Sequence, residues 1–225
     1  MKRLMTVIAA AAIACSCSPK NEVAEIRGIR TGDLVFAGLP YSYTLGEDSG
    51  AGEGSIAEAI AAATANDSIN FIHTAIAEVA SDTLWIIDAT IAHGVDRHPW
   101  DVFISDFTLR DGSEPIIRVR RLADTTGVCS FVEAAKQFVG RPYDLSFREG
   151  NDAYYCTELV RASYITPDGK HLFEAVAMNF NGPDGELPLY WRQLFERLGE
   201  PVPNGEPGTN PNQMYTSPLL VPVTF

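Results

Sequence analysis

The chain has 225 residues, of which 46% are hydrophobic and 20% charged, enough apolar material for one sizeable core rather than a disordered or fibrous polymer. A formal net charge of −12 and a pI near 4.7 exclude the basic footprint of a nucleic-acid-binding protein. They give no electrostatic pull toward an anionic lipid surface and leave cationic or peptide-like substrates open.

Lys2 and Arg3 precede an apolar run from Leu4 to Ala14, too short to span a bilayer but suited to a signal-peptide core. Cys15 and Cys17 follow among small residues, a pattern that resembles the lipobox of bacterial lipoproteins, in which a cysteine is acylated and becomes the mature N-terminus. Residues 1–17 are therefore expected to be a signal peptide with lipobox, with lipidation at Cys17 or Cys15. The alternative is an ordinary secreted protein cut near the same place. No other run is long enough for a transmembrane helix, so the expected product is exported, faces the periplasm or exterior, and touches membrane only through its N-terminal lipid anchor. Residues 18–30 read as a polar tether.

The body, 31–225, opens with a turn at Thr31-Gly32-Asp33 and a buried strand at Leu34-Val35-Phe36 bounded by Gly38 and Pro40. Tyr41 to Gly54 reads as a surface loop. Ser55-Ile56-Ala57-Glu58 has the capping-box pattern and starts an alanine-rich helix to Thr64. Phe71–Val79 and Thr83–Ala89 read as the two strands of an antiparallel hairpin, turned at Ala80-Ser81-Asp82. Val102–Phe107 and Ile116–Val119 read as further strands about an Asp111-Gly112 turn. Val128, Phe131, Val132, Ala135, Phe138 and Val139 recur at helical spacing up to Gly140. A second helix opens at Cys156, and Leu187, Trp191, Leu194, Phe195 and Leu198 mark a third, stopped by Gly199 and Pro201. The tail from Pro203 to Pro218 is expected to lie extended, with Leu219–Val223 as an edge strand.

Outside the leader only Cys129 and Cys156 remain. They could pair in an oxidising compartment, which is the structural alternative for Cys156. The functional reading starts from position: Cys156 lies where a charged, aperiodic segment turns into an apolar-striped helix. There, unpaired N–H groups and the positive helix end favour thiolate over thiol. A thiolate nucleophile needs a base that can return a proton to the leaving group, a task suited to histidine. His93, His98 and His171 read as solvated loop residues. His73 lies inside a strand, where an imidazole is costly unless it lines a cavity or has a partner. Asp88, on the neighbouring hairpin strand, is the candidate orienting carboxylate, with Glu158 the competitor for that third role. The N–H of Cys156 is the natural first oxyanion donor. Tyr143 and Tyr155 are candidates for a second, and these two with Glu158 are the candidate substrate-binding residues. No zinc-type spacing accompanies Cys156 and the histidines, so no metal or other cofactor is expected.

Gly32-Asp33-Leu34-Val35-Phe36, His73, Asp88 and Tyr155-Cys156-Thr157-Glu158-Leu159-Val160, in that order, resemble the circularly permuted branch of the papain-like NlpC superfamily (YiiX/YaeF-like). Gly140-Arg141-Pro142-Tyr143-Asp144 and Pro207-Gly208-Thr209-Asn210-Pro211 extend the resemblance to most of the body. It implies an α+β fold, with an antiparallel sheet packed against helices. It also implies a cysteine hydrolase of amide or other acyl bonds, with Cys156 as nucleophile, His73 as base and Asp88 as orienter, a position commonly held by glutamate in this branch. The expected substrate is a peptide or acyl-containing component of the cell envelope, peptidoglycan peptides first. An acyltransferase or thioesterase on lipid-like substrates, favoured by an apolar cleft, and a non-catalytic binding lipoprotein are the alternatives.

Overall fold

The computed structural model describes residues 24–40, 59–61, 63, 69–109 and 112–225. The leader with Cys15 and Cys17, the 41–54 loop, the Ser55–Glu58 capping box and Asp111 lie outside the described residues.

Alternating and continuous apolar runs build a six-stranded antiparallel sheet in the order β10-β7-β3-β4-β5-β6. Its strands are β3 (Leu34–Pro40), β4 (Ile69–Ala80), β5 (Thr83–Thr90), β6 (Gly94–Pro99), β7 (Ile116–Leu122) and β10 (Leu220–Val223). Before it, β1 (Glu25–Ile26) and β2 (Ile29–Arg30) form a small hairpin, so the folded body begins inside the stretch read as a tether, with Ile29 fully buried. The β4–β5 hairpin turns on Ser81 and Asp82, both at positive φ, the two-residue geometry that suits the twist of paired strands.

Among the described residues, 59–61 and 63 are helical, and the helices with full bounds are α1 (Trp100–Phe107), α2 (Val128–Lys136), α3 (Cys156–Ser163), α4 (Leu189–Leu198) and α5 (Pro211–Tyr215). Two readings are corrected here. Val102–Phe107 is not a strand: Trp100, Phe103, Ile104 and Phe107 fall at helical spacing, and Phe103 is fully buried against the sheet. The tail is not wholly extended, because Asn210 accepts a hydrogen bond from the Gln213 N–H at 2.9 Å and caps α5, with Pro211 at its first position. Short strands β8 (Val176–Ala177) and β9 (Pro207–Gly208) pair with each other beside it.

The sheet is covered on two sides and flanked by a third cluster. Leu34, Phe36, Ile76 and Ile87 pack with Leu159 and Val160 of α3 and with Phe131 and Val132 of α2. Val35, Ala37, Ala75, Ala77 and Ile86 pack with Phe103 of α1. Phe147, Tyr155, Phe180, Trp191 and Phe195 form an aromatic cluster under α4. The Gly32-Asp33 turn joins these parts: Asp33 takes both Arg121 Nε and Nη2 at 2.7 Å, and the Tyr164 hydroxyl donates to the Gly32 carbonyl at 3.0 Å. That pins the end of α3 to the start of β3.

Candidate active site

Helix α3 begins at Cys156 because Tyr155 is extended (φ −88°, ψ 168°) and the buried Glu158 carboxyl group reaches back to accept the Tyr155 N–H at 3.2 Å. Leu159 and Val160 then anchor the helix in the core. Cys156 is a free thiol, 4% exposed, and is not bridged to Cys129. As the first helical residue it keeps an unsatisfied N–H beside its own sulfur.

His73 is aimed by an irregularity in its strand. β4 pairs His73 with Ala37 but Phe71 with Gly38, so β4 carries one extra residue, Ile72, relative to β3. The bulge sends Phe71 into the cluster under α3 and turns His73 toward the rings of Phe103 and Phe107, with centroids 6.1 and 4.5 Å away. Gly38 makes this possible, since a Cβ there would lie 2.8 Å from Ile69 Cγ2 and 3.1 Å from the Asn70 carbonyl.

His73 Nε2 lies 2.7 Å from Asp88 Oδ2, and the ring also hydrogen-bonds the Cys156 side chain, which leaves Nδ1 as the nitrogen that meets the sulfur. Burial works against the charged imidazole, but Cys156 and Asp88 outweigh it and lift His73 to about 10. Burial likewise raises the Asp88 carboxyl, and hydrogen bonds from two histidines more than offset it, holding Asp88 at about 2. At neutral pH the pair is imidazolium and carboxylate, held against the Cys156 sulfur.

The second histidine on Asp88 is His98, which the sequence reading placed on a solvated loop. It instead sits on β6, 8% exposed, with Nε2 3.0 Å from Asp88 Oδ1. Asp-Arg-His-Pro is too polar to read as a strand by itself. The missed signal was Val95 and the closing Pro99, which mark an edge strand beside β5. His93 is exposed near Asp106, and His171 is half-buried, its Nδ1 donating to the Arg161 carbonyl.

Beside Cys156 opens a cavity of about 110 Å³. Tyr143, Phe147, Tyr155, Met178, Phe180 and Trp191 make its walls largely apolar, with Thr157, Asn179 and Thr209 as polar points. Tyr143 stands next to Cys156, and burial lifts its phenol well above the usual value. The Tyr155 hydroxyl is already engaged, accepting the Thr209 N–H at 3.1 Å and facing Met178 Sδ, so it builds the wall and is not a spare oxyanion donor. Glu158 does not line the cavity, and the carboxylate on His73 is that of Asp88. Among the described residues no group of three or more His, Cys, Asp or Glu is arranged to hold a metal ion.

Comparison with known proteins places the chain in a family. The model of a family described as "Permuted papain-like amidase enzyme, YaeF/YiiX, C92 family" matches residues 49–224. The uncharacterized protein YiiX of Escherichia coli K12 is 31% identical over 91 residues, covering 40% of this chain and 44% of that protein, so the match spans under half of the relative's length. A crystal structure titled as metalloprotein yiiX from Escherichia coli O157:H7 superposes with a TM-score of 0.64 at 24% identity, covering 87% of this chain and 97% of that one, a likeness of fold. With a buried thiol at a helix start, a strand histidine against it and a family match over most of its length, the chain belongs to the YaeF/YiiX (C92) family of permuted papain-like amidases and is a hydrolase.

Proposed function

We propose that the protein is a cell-envelope cysteine amidase that cleaves peptide-type bonds, in peptidoglycan peptides first, through Cys156, His73 and Asp88. The observation that carries this reading is His73 held between the Cys156 thiol and the Asp88 carboxylate, all three buried. The thiolate attacks the acyl carbon, and the oxyanion forms at the Cys156 N–H, with the Tyr143 hydroxyl, which lines the same cavity, the candidate second donor. As the tetrahedral adduct collapses, His73 Nδ1–H protonates the departing nitrogen and a thioester remains on Cys156. His73, now neutral, removes a proton from water, which attacks the thioester and releases the acid and the thiolate. Asp88 stays ionised throughout and holds Nε2–H. Export and an N-terminal lipid on Cys15 or Cys17 would put the enzyme where that polymer lies.

The cavity favours one further reading. About 110 Å³ of largely apolar space suits one side chain or a short acyl group rather than a whole drug-sized ligand, which takes roughly 300–1,000 Å³. That lining speaks for acyl transfer or thioester hydrolysis on lipid-like substrates by the same residues.

The two readings separate on product analysis. Purified mature protein and its Cys156→Ala variant are incubated with a muropeptide set and with a panel of short-chain acyl esters and thioesters, and products are identified by mass spectrometry. Cys156-dependent amide cleavage is the expected result. Turnover of esters and thioesters alone would move the assignment to the second reading, and amide cleavage that persists in the variant would contradict both.

A further inference from the structure

The Asp88 carboxylate is shared: Oδ2 takes His73 Nε2 at 2.7 Å and Oδ1 takes His98 Nε2 at 3.0 Å, with Asp88 1% exposed. We infer that His98 is a positioning residue of the catalytic apparatus, which fixes the rotation of Asp88 so that Oδ2 meets His73 and His73 Nδ1 stays on the Cys156 sulfur. This rests on the cysteine-hydrolase reading above and adds to it a residue that touches neither thiol nor substrate.

The geometry supports the role in three ways. A carboxylate with one partner can turn about its Cβ–Cγ bond, whereas one held at both oxygens by donors on different strands cannot do so without breaking a buried hydrogen bond. His98 is clamped from outside: its ring lies 6.4 Å from that of Phe103, the same ring that backs His73. The Phe103 ring of α1 thus lies beside both imidazoles. Finally, His98 Nδ1 is buried and has no hydrogen-bond partner among the described residues, where the side chain's one hydrogen bond is to Asp88. A histidine kept solely to fasten β6 would find more to bond, and a hydrophobic residue would pack there at lower cost.

The charged groups around His98 are Asp88 of β5, Asp96 on its own strand and Asp106 of α1. Burial opposes its protonation, and those carboxylates together raise it above the ordinary histidine value. Their sum favours a donating Nε2–H. A residue that donates to Asp88 without titrating can therefore stand in for it.

The test uses chemistry that needs no known substrate. The second-order rate of Cys156 carboxamidomethylation by iodoacetamide is measured by peptide mass mapping from pH 5 to 10 in the parent protein, His73→Ala, His98→Leu and His98→Gln, with melting temperatures alongside. In the parent, labelling is fast at acid pH and depends on His73. His98→Leu frees Oδ1 and weakens the ion pair. Labelling at pH 6 is then roughly tenfold slower, the effect of one hydrogen bond to a charged group. The acid limb of the profile, where the sulfur takes up a proton and labelling fails, moves to higher pH. His98→Gln, whose amide N–H reaches the same oxygen, restores both. A purely structural role would lower the melting temperature and leave the pH limit unmoved. An unshifted profile in folded His98→Leu, or a Gln variant no better than Leu where both are folded, overturns the His98 assignment alone. Slow, His73-independent labelling of the parent would overturn the triad and this assignment together.

Discussion

Asp88 is a single buried carboxylate on which the chemistry of two imidazoles depends, and its replacement tests that directly. Asp88→Asn keeps the shape, loses the charge and presents an N–H to one of the histidines. Activity should fall by roughly 10²- to 10⁴-fold, the range over which orienting carboxylates act, with folding retained. The titrations set a second expectation. His73 is raised from 6.5 to about 10, so its stabilising contribution is complete below pH 6.5 and lost as pH climbs through about 10; that of Asp88, lowered from 3.8, is present above 3.8 and lost as pH falls through about 2. The melting temperature of the parent should therefore decline more steeply between pH 6.5 and 10 than that of His73→Ala, and equal slopes would refute the ion pair. Cys156, His73 and Asp88 were legible because each breaks a local rule: a thiol at a helix start, an imidazole in an apolar strand, a carboxylate ending an apolar run. His98 was not, since its neighbours Asp96, Arg97 and Pro99 give it the appearance of loop and its meaning comes only from a strand partner.

Elements place these side chains through local irregularities that residue types only partly reveal. The β4 bulge at Ile72 decides which face His73 occupies, and strand alternation alone would have left it on the side of Phe71. Gly38→Ala should crowd Ile69 and the Asn70 carbonyl, cost about 1–3 kcal/mol, and depress activity more than stability by re-aiming His73. Melting curves and turnover measured on one preparation check this. At the start of α3, burial is the main influence lifting Glu158 to about 8, so stability drains away as pH rises from 4.5 to about 8. Glu158→Gln keeps an acceptor for the Tyr155 N–H and removes the ionisation; its melting temperature should fall less than the parent's across that interval, the difference being cleanest from pH 4.5 to 6.5, below the range in which His73 contributes. Helix α1 was misread because Val102, Phe103 and Ile104 are favoured strand residues, while the spacing of Trp100, Phe103, Ile104 and Phe107 had the helical period; tertiary packing against Ala37 and Ile86 sided with the period.

Across the molecule, the sheet and the cysteine helix are separate layers that must keep register for the thiol to meet the imidazole. Asp33 is where they are joined, through Arg121 on β7 and, one residue away, through Tyr164 on α3. Arg121→Met removes the cationic partner of a carboxylate that is 1% exposed, leaving it the Arg30 N–H at 2.9 Å, and should cost about 3 kcal/mol, read from denaturant unfolding, with activity lost in step with folding. The central hairpin and the edge strand expected at Leu219–Val223 could be read from local pattern, and the α+β plan from the family resemblance, whereas the aromatic cluster under α4 could not be read from either. It gathers Phe147, Tyr155, Phe180, Trp191 and Phe195 from segments with little shared local pattern. The central claim is that this scaffold makes Cys156 an acylating nucleophile driven by His73. The most direct measurement is the intact mass and peptide map of the protein quenched within its first turnover of p-nitrophenyl acetate. One acetyl group per chain on Cys156, with a matching burst of p-nitrophenol that is lost in His73→Ala, is the predicted result; acetyl on another residue, or an equal burst without His73, would contradict the account.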